Sequence, residues 1–248
     1  MMSFQFFDKI KENIERVSNE ETQKIVTLSE MLYEAVVNKQ SIYIFGAGHA
    51  GIISCEMYYR AGGFMLFNPI FPRELSIDNE PITITSQIER LEGYGRVIAM
   101  KANFKTNDLL IVHSVSGRNS AGIDVALVAK ENGAHVVAIT NLEYSKSVSS
   151  RHSSGKRLYE VSDLIIDNHG VIGDAICELE GSQQKVASSS TIIATVILNE
   201  AITQLAQRLV DEGLKDLPFF TSANLDGGDQ KNENLYKIYR DQIHYRYK

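Results

Sequence analysis

The stretch Asp108-Leu-Leu-Ile-Val-His-Ser-Val-Ser-Gly-Arg-Asn-Ser120 decides the fold of this chain. Its first half is a short apolar run of the kind that forms a strand buried on both faces, and residues 121–130 after it have helical periodicity. The stretch is therefore predicted to join the end of a strand to the start of a helix. The first N–H groups of such a helix have no intrahelical acceptor and lie at the positive end of its dipole, so they suit an anion.

The polar residues of this loop are candidate phosphate ligands. Gly117 lets the backbone come close to a ligand, and the neighbouring hydroxyl, amide and guanidinium groups can bind oxygens that the N–H groups do not reach. The predicted phosphate-binding residues are Ser114, Ser116, Gly117, Arg118, Asn119 and Ser120. Ser and Asn are also ordinary helix N-caps, so the loop alone leaves open whether it binds a ligand or only caps the helix.

A second strand-to-helix turn repeats this architecture. Ser41-Ile-Tyr-Ile-Phe45 indicates a short strand, and it runs into Gly46-Ala-Gly-His-Ala-Gly51 and a helical stretch over 52–61. The same G-x-G-x-x-G spacing occurs where dinucleotides bind, but that requires an acidic residue roughly twenty positions on to hold the ribose. Glu74 lies near that distance in an irregular stretch. A nucleotide-dependent oxidoreductase is therefore an alternative that rests on the glycines alone.

Strands alternate with helical stretches along most of the chain. Residues 4–39 indicate one long or two consecutive amphipathic helices, further strands are predicted at 64–71, 135–140 and 164–167, and 86–100 is predicted to be helical. The alternation predicts an α/β fold, a three-layer α-β-α sandwich with a mainly parallel, about five-stranded sheet and an N-terminal helical extension. In such sheets ligands bind at the carboxyl ends of the strands, where both glycine loops would lie.

Together with a third segment, these two loops resemble the SIS (sugar isomerase) domain family. The third segment, Lys185-Val-Ala-Ser-Ser-Ser-Thr191, is predicted to open a long helix through about residue 210. SIS domains combine a G-x-G turn after the first strand, an S-x-S-G-x-S/T phosphate loop after a later strand, and a V-A-S/T segment that begins a late helix lining the sugar pocket. The resemblance covers residues 40–210 and is closest to small SIS proteins of this length, which are related to phosphoheptose isomerases and N-acetylmuramic acid 6-phosphate etherases.

The resemblance implies a protein that binds a phosphorylated sugar in a strand-end pocket and isomerises or otherwise processes it by acid/base chemistry. The sugar pocket that it implies is formed by Gly46, Gly48, Ala50, Lys185, Ser188 and Ser189. The resemblance also implies a homo-oligomer, a dimer or tetramer. Three segments are expected: a helical extension over 1–39, the SIS domain over 40–215, and a C-terminal loop and helix over 216–248 that packs on the domain or on a partner subunit.

Departures from the family pattern motivate a second hypothesis. Ala50 stands where relatives usually carry a serine, and the glutamate that several SIS enzymes place on the following helix would fall near Tyr59 or Arg60. Asn119 stands where Ser or Thr is commoner, which keeps a hydrogen-bonding group. A non-catalytic phosphosugar sensor is therefore the alternative to an aldose–ketose isomerase, a lyase or an etherase.

Carboxylates and imidazoles are the candidate acids and bases, because their pKa values can be tuned near neutrality. The predicted catalytic residues are Glu178, Glu180, His49 and His152. The two glutamates are equally consistent with solvated acids near a helix start. His152 belongs to a polar segment, 149–156, that either closes over the substrate or is an ordinary solvated loop. His113, which ends the strand before the phosphate loop, either touches a ligand or bonds a neighbouring backbone group.

Composition narrows the class of protein. A net charge of −6 without a basic cluster argues against a nucleic-acid surface, although a local nest of N–H groups can still hold one phosphate. No apolar run approaches the length of a bilayer span, and the start of the chain lacks the order of a secretory signal, so a cytoplasmic location without a membrane partner is expected. Cys55 and Cys177 are expected in helices as small buried hydrophobes. No metal and no cofactor are predicted, since no pair of histidines has metal-ligand spacing.

Overall fold

A five-stranded parallel sheet forms the centre of the computed structural model, which describes residues 4–247. Its strands are β1 (Ile42–Gly46), β2 (Phe67–Pro69), β3 (Leu109–His113), β4 (His135–Thr140) and β5 (Leu164–Asp167). They lie in the order β2-β1-β3-β4-β5, and every neighbouring pair is parallel. The chain therefore leaves β1 towards one edge of the sheet and leaves β3 towards the other. Such a reversal of strand order opens a crevice at the carboxyl ends of the two strands.

Helices cover both faces of the sheet. They are α1 (Gln5–Glu20), α2 (Thr22–Val37), α3 (Ile52–Glu56), α4 (Thr83–Ile88), α5 (Tyr94–Met100), α6 (Ser120–Glu131), α7 (Leu142–Ser147), α8 (Ser190–Asp211) and α9 (Gly228–Tyr239). Alternate strand residues point to opposite faces, so Ile111 joins a core with α1, α2 and α8, whereas Leu110 joins a second core with α5 and α6. The predicted three-layer α/β sandwich is confirmed.

The N-terminal helices and three strands follow the sequence prediction closely. Residues 5–37 form two helices separated at Glu21, a buried residue whose carboxylate accepts hydrogen bonds from Lys24 and from the backbone N–H of Asp167. Strands β3, β4 and β5 begin and end within one residue of the predicted positions. These strands could be found because residues buried on both faces leave an uninterrupted apolar run in the sequence.

Several predicted elements were too long. The helix predicted over 86–100 is split into α4 and α5, because Gly93 takes a left-handed conformation with φ of 85°. The helix predicted over 52–61 ends at Glu56, before Tyr59 takes a φ of 40°. The strand predicted over 64–71 keeps only Phe67–Pro69 in the sheet, because the residues before it bond another segment: the N–H of Met65 donates to the Pro218 carbonyl over 2.8 Å. The helix predicted near the C-terminus lies over 228–239.

The prediction that residue 185 opens a helix was wrong. Lys185–Ser188 is instead strand β7, which pairs with β6 (Ala175–Glu178) in an antiparallel hairpin outside the main sheet. Helix α8 begins only at Ser190, where the carboxylate of Asp174 accepts hydrogen bonds from the N–H groups of Ser189 and Ser190. The carboxylate fixes the start of the helix there because it satisfies N–H groups that lack intrahelical acceptors.

The cysteine prediction was only partly right. Cys177 is buried but lies in strand β6, and Cys55 lies in helix α3 but is exposed. No helix within residues 4–247 combines the length and the apolar character needed to cross a membrane. The three-segment division remains a prediction, and residues 1–3 and 248, which its outer segments include, lie outside the described residues.

Candidate functional site

The two glycine loops meet at one edge of the sheet. Strands β1 and β3 pair so that Gly46 lies opposite His113, and each chain turns into its loop directly afterwards. A cavity of about 480 Å³ opens between the loops. Its lining includes Gly48, His49, Ala50, Ile77, Ile82, Glu89, His113, Ser114, Ser116, Asn119, Tyr144 and Asp174. The predicted strand-end position of the site therefore holds a cavity in the structure.

The first loop, residues 46–51, requires glycine at its start. A Cβ added to Gly46 would lie 2.3 Å from the carbonyl oxygen of Ala50, so no other side chain fits without moving the turn. Gly46 lies beneath the turn, whereas Gly48, His49 and Ala50 line the cavity. The side chain of His49 is exposed at the cavity. The close approach of Gly46 to the Ala50 carbonyl makes this turn tight, and helix α3 begins directly after it.

In the second loop, residues 114–120, the carbonyls of Ser114, Gly117 and Arg118 are paired, whereas the N–H groups over 116–120 are not. The hydroxyl of Thr140 donates to the Ser114 carbonyl over 2.7 Å, and the N–H groups of Leu158 and Arg151 donate to the carbonyls of Gly117 and Arg118 over 2.8 and 2.9 Å. Across the described residues, no acceptor bonds the backbone N–H of any residue from 116 to 120. A run of five unpaired donors therefore lies between the cavity and the start of helix α6.

Gly117 makes this arrangement possible. Its φ is 58°, a conformation that favours glycine, and an added Cβ would lie 2.9 Å from the hydroxyl oxygen of Ser145. The loop therefore depends on glycine both for its backbone conformation and for its packing against helix α7.

The structure brings only some of the predicted phosphate ligands to the cavity. Ser114 and Ser116 line it, and neither hydroxyl bonds any residue of the described chain. The side chains of Arg118 and Ser120 turn away, because the Arg118 guanidinium donates to the Ser149 carbonyl over 2.9 Å and the Ser120 hydroxyl donates to the Arg151 carbonyl over 3.0 Å. Asn119 lies in the N-cap position without capping the helix through its side chain.

A carboxylate that the sequence analysis did not identify lies in the cavity. Glu89 follows α4, and its backbone carbonyl accepts from the N–H of Ala121 over 3.0 Å. Its Oε1 atom accepts from the amide of Asn119 over 2.9 Å. Burial raises the pKa of Glu89, and the guanidinium groups of Arg90 and Arg151 oppose that rise only in part. In the sequence Glu89 is one acid within a charged helical stretch, a pattern that ordinarily indicates a solvated face.

His113 bonds a backbone group, one of the two alternatives that the sequence left open. Its Nδ1 lies 3.1 Å from the carbonyl oxygen of Ala50, so Nδ1 carries the proton and donates it. Its Nε2 is buried and has no partner among the described residues. Burial lowers the pKa of His113, an effect that the bond to Ala50 and the charge of Asp174 oppose. The ring is therefore neutral at pH 7.

Lowering the pH below about 6.5, the ordinary pKa of histidine, is expected to destabilise the protein through His113. The folded-state pKa is the lower one, so the unfolded chain takes up the proton first and stability falls as the pH drops from the unfolded towards the folded value. His113→Gln can still donate to Ala50 but cannot titrate. Urea unfolding at pH 7.5 and 5.5 should show a larger loss in the wild type than in the variant. Equal losses would contradict a neutral buried imidazole.

His152, one of the predicted catalytic residues, lies outside the cavity. Its Nε2 lies 3.3 Å from Asp124 on helix α6, and the neighbouring N–H of Ser153 donates to Glu92 over 3.0 Å. Segment 149–156 packs along the second loop in this structure, and Arg151 donates to Asn119 over 2.8 Å. The segment therefore supports the loop through several hydrogen bonds, which an ordinary solvated connection would not make.

The structure does not bring the hairpin residues to the cavity either. Glu178 and Lys185 form an ion pair of 2.9 Å and line a separate cavity of about 380 Å³ beside α1. Glu180 and Ser188 are exposed on the hairpin, and the hydroxyl of Ser189 donates to Asp174 over 3.3 Å. These hairpin residues come shortly before α8 in the sequence, but in the structure they do not line the cavity between the loops. In residues 4–247, no three His, Cys, Asp or Glu side chains group as a metal site would.

Comparisons with known proteins agree on the family and the fold. Residues 5–141 match the SIS domain family. A UPF0309 protein of Oceanobacillus iheyensis is 48% identical over 97% of this chain and 98% of its own length, and one of Shouchella clausii is 46% identical over the same shares. Among solved structures, a phosphoheptose isomerase from Francisella tularensis has a TM-score of 0.54 at 15% identity, covering 82% of this chain and 95% of that one. A phosphoheptose isomerase from Neisseria gonorrhoeae has a TM-score of 0.52 at 14% identity, covering 84% and 95%.

Proposed function

Because the chain belongs to the SIS domain family, we propose that it binds a phosphorylated sugar in the cavity between the two glycine loops, with the phosphate on residues 114–120. The observation that carries this proposal is the run of unpaired backbone N–H groups over 116–120, beside the unbonded hydroxyls of Ser114 and Ser116. Main-chain donors at the start of a helix suit a phosphate dianion, because they combine fixed geometry with the positive end of the dipole.

The net charge of −6 is compatible with this ligand. Interactions of a bound phosphate with its donors act over hydrogen-bond distances, whereas distant surface charges are screened within about 10 Å at ordinary ionic strength. The guanidinium groups of Arg118 and Arg151 also lie near the loop through their bonds to Ser149 and Asn119. A local donor cluster can therefore hold an anion in an acidic protein.

Acid/base processing of the bound sugar, as in an aldose–ketose isomerase, is the finer part of the proposal. Support comes from the fold shared with two phosphoheptose isomerases and from ionisable side chains in the cavity. The positions of Glu178 and Glu180 outside the cavity favour the other candidate, a non-catalytic sensor. The two candidates differ in one measurable respect: only the enzyme converts the sugar that it binds.

Assembly into a homo-oligomer remains a prediction, and the surface supports it. Apolar side chains are exposed on α1 and on the adjoining hairpin, among them Phe7, Leu179 and Val186. Helix α1 and the hairpin are joined by Gln5, which donates to the Glu178 carbonyl over 3.2 Å. Strand β7 is exposed along its whole length, and a two-stranded hairpin alone is only marginally stable in water.

Ser116→Ala is expected to weaken binding of a sugar phosphate about tenfold, since a hydrogen bond to a charged group is worth about 1.5 kcal/mol or more. Calorimetric titration with pentose, hexose and heptose phosphates and their unphosphorylated forms measures this affinity. Ser18→Ala, the same change on the exposed surface of α1, is the control and should leave affinity unchanged. Equal affinity for phosphorylated and unphosphorylated sugars would contradict the proposal. Binding of NAD in preference to every sugar phosphate would favour the oxidoreductase alternative.

A further inference from the structure

Glu89 makes two hydrogen bonds, one to the loop proposed to hold the phosphate and one to the helix α6 that follows it. Its backbone carbonyl accepts from the N–H of Ala121 in the first turn of α6, and its Oε1 accepts from the amide nitrogen of Asn119. Arg151 donates to the amide oxygen of Asn119 over 2.8 Å, which leaves the amide nitrogen facing Glu89. The carboxylate is therefore held beside the loop proposed to hold the phosphate.

One oxygen of this carboxylate is uncommitted. Oε2 of Glu89 accepts no hydrogen bond from any described residue. The other carboxylate lining the cavity, Asp174, has both oxygens engaged, because they accept from the N–H and hydroxyl groups of Ser189 and Ser190. Of the two, only Glu89 combines a place in the cavity with a free oxygen.

We propose that Glu89 is the catalytic base of this site, the group that moves a proton between adjacent carbons of the bound sugar phosphate. The inference rests on the proposed function and adds to it the residue that performs the chemistry. Burial raises the pKa of this half-buried carboxylate, which makes it a stronger proton acceptor than a solvated glutamate. A carboxylate fixed by a second residue also keeps its geometry during the transfer.

The isomerisation proceeds through three proton transfers. Glu89 takes the proton from C2 of the aldose, the C2–H electron pair forms the C1–C2 double bond, and the carbonyl electron pair moves to O1. The hydroxyl proton on O2 then passes to O1. As the electrons return to form the C2 carbonyl, C1 takes the proton back from Glu89, which leaves the ketose and the starting carboxylate.

Glu89→Gln tests the proposal, because the amide retains the shape and the acceptor for Asn119 but cannot take a proton. Glu30→Gln is the matched control: Glu30 is exposed on α2 and does not line the cavity. The protein is titrated calorimetrically with pentose, hexose and heptose phosphates. Conversion of each aldose phosphate in D₂O is then followed by proton NMR, which reports both the ketose and incorporated deuterium.

We expect Glu89→Gln to bind like the wild type and to convert the sugar about 100-fold more slowly or worse, with Glu30→Gln unchanged. Conversion by Glu89→Gln near the wild-type rate would overturn the assignment. So would a wild-type protein that binds sugar phosphates but converts none, an outcome that leaves the binding proposal intact. A wild type that binds no sugar phosphate would instead refute the proposed function, and the assignment of Glu89 with it.

Discussion

Gly46→Ala is expected to lower the free energy of unfolding by about 3 kcal/mol, near the upper end of the usual range for overpacking. The added Cβ would lie 2.3 Å from the Ala50 oxygen and 2.7 Å from the Gly51 nitrogen. Both contacts are with backbone, so no side chain can rotate away to relieve them. The turn itself must move, and with it the residues of the first loop that line the cavity.

Gly122→Ala is the control for this substitution. A Cβ at Gly122 meets no atom within 4 Å, and the residue lies inside helix α6, where alanine is preferred over glycine by about 1 kcal/mol. Urea unfolding of the two variants should therefore show changes of opposite sign. A Gly46→Ala protein as stable as the wild type would contradict the close approach of the two backbone segments.

Asp174→Ala is expected to lower the free energy of unfolding by about 3 kcal/mol, since it removes a helix cap and leaves buried donors without a charged acceptor. The carboxylate accepts from the N–H and hydroxyl of Ser190 over 2.9 and 2.6 Å, and also from the N–H and hydroxyl of Ser189 over 3.2 and 3.3 Å. These bonds fix the start of α8, a helix whose apolar face is part of the main core.

Asp174→Asn separates the charge of the carboxylate from its shape. The amide oxygen can still accept from the two N–H groups, and asparagine tolerates the left-handed backbone at this position, where φ is 67°. Its loss of stability should therefore be smaller than that of Asp174→Ala. Thermal and urea unfolding of both variants measure the difference, with the exposed Glu180→Ala as a control. Equal stability of Asp174→Ala and the wild type would show that the cap is dispensable.

The sheet and the two loops could be predicted because each is determined by a short stretch of consecutive residues. Strands β3 and β4 are buried runs without polar interruptions, and Gly46 and Gly117 stand where the chain must turn tightly. Ser114 and Ser116 could be assigned to the candidate site because they come directly after a predicted strand. All of these features can be recognised from a few consecutive residues.

The rest of the site depends on contacts between distant residues. Glu89 reaches the cavity through bonds to Asn119 and Ala121, about thirty positions away along the sequence, and no pattern around Glu89 encodes them. The hairpin was missed for a related reason. Lys185–Ser188 directly precedes a helix, so its sequence predicts the first turn of that helix, but its pairing with β6 carries both Glu178 and Lys185 away from the cavity.

The donors that the second loop offers to a ligand are main-chain N–H groups. Backbone N–H groups are present whatever side chains the neighbouring positions carry, so substitution alters them far less than it alters a side-chain ligand. The opposite rim of the cavity includes the side chains of Ile77, Ile82 and His49, all of them exposed. In the proposed mode of binding, exchanges at that rim can select a different sugar while the phosphate stays on the main-chain donors. Descendants of this chain can therefore acquire new ligands by a few rim mutations, without first losing the old mode of attachment.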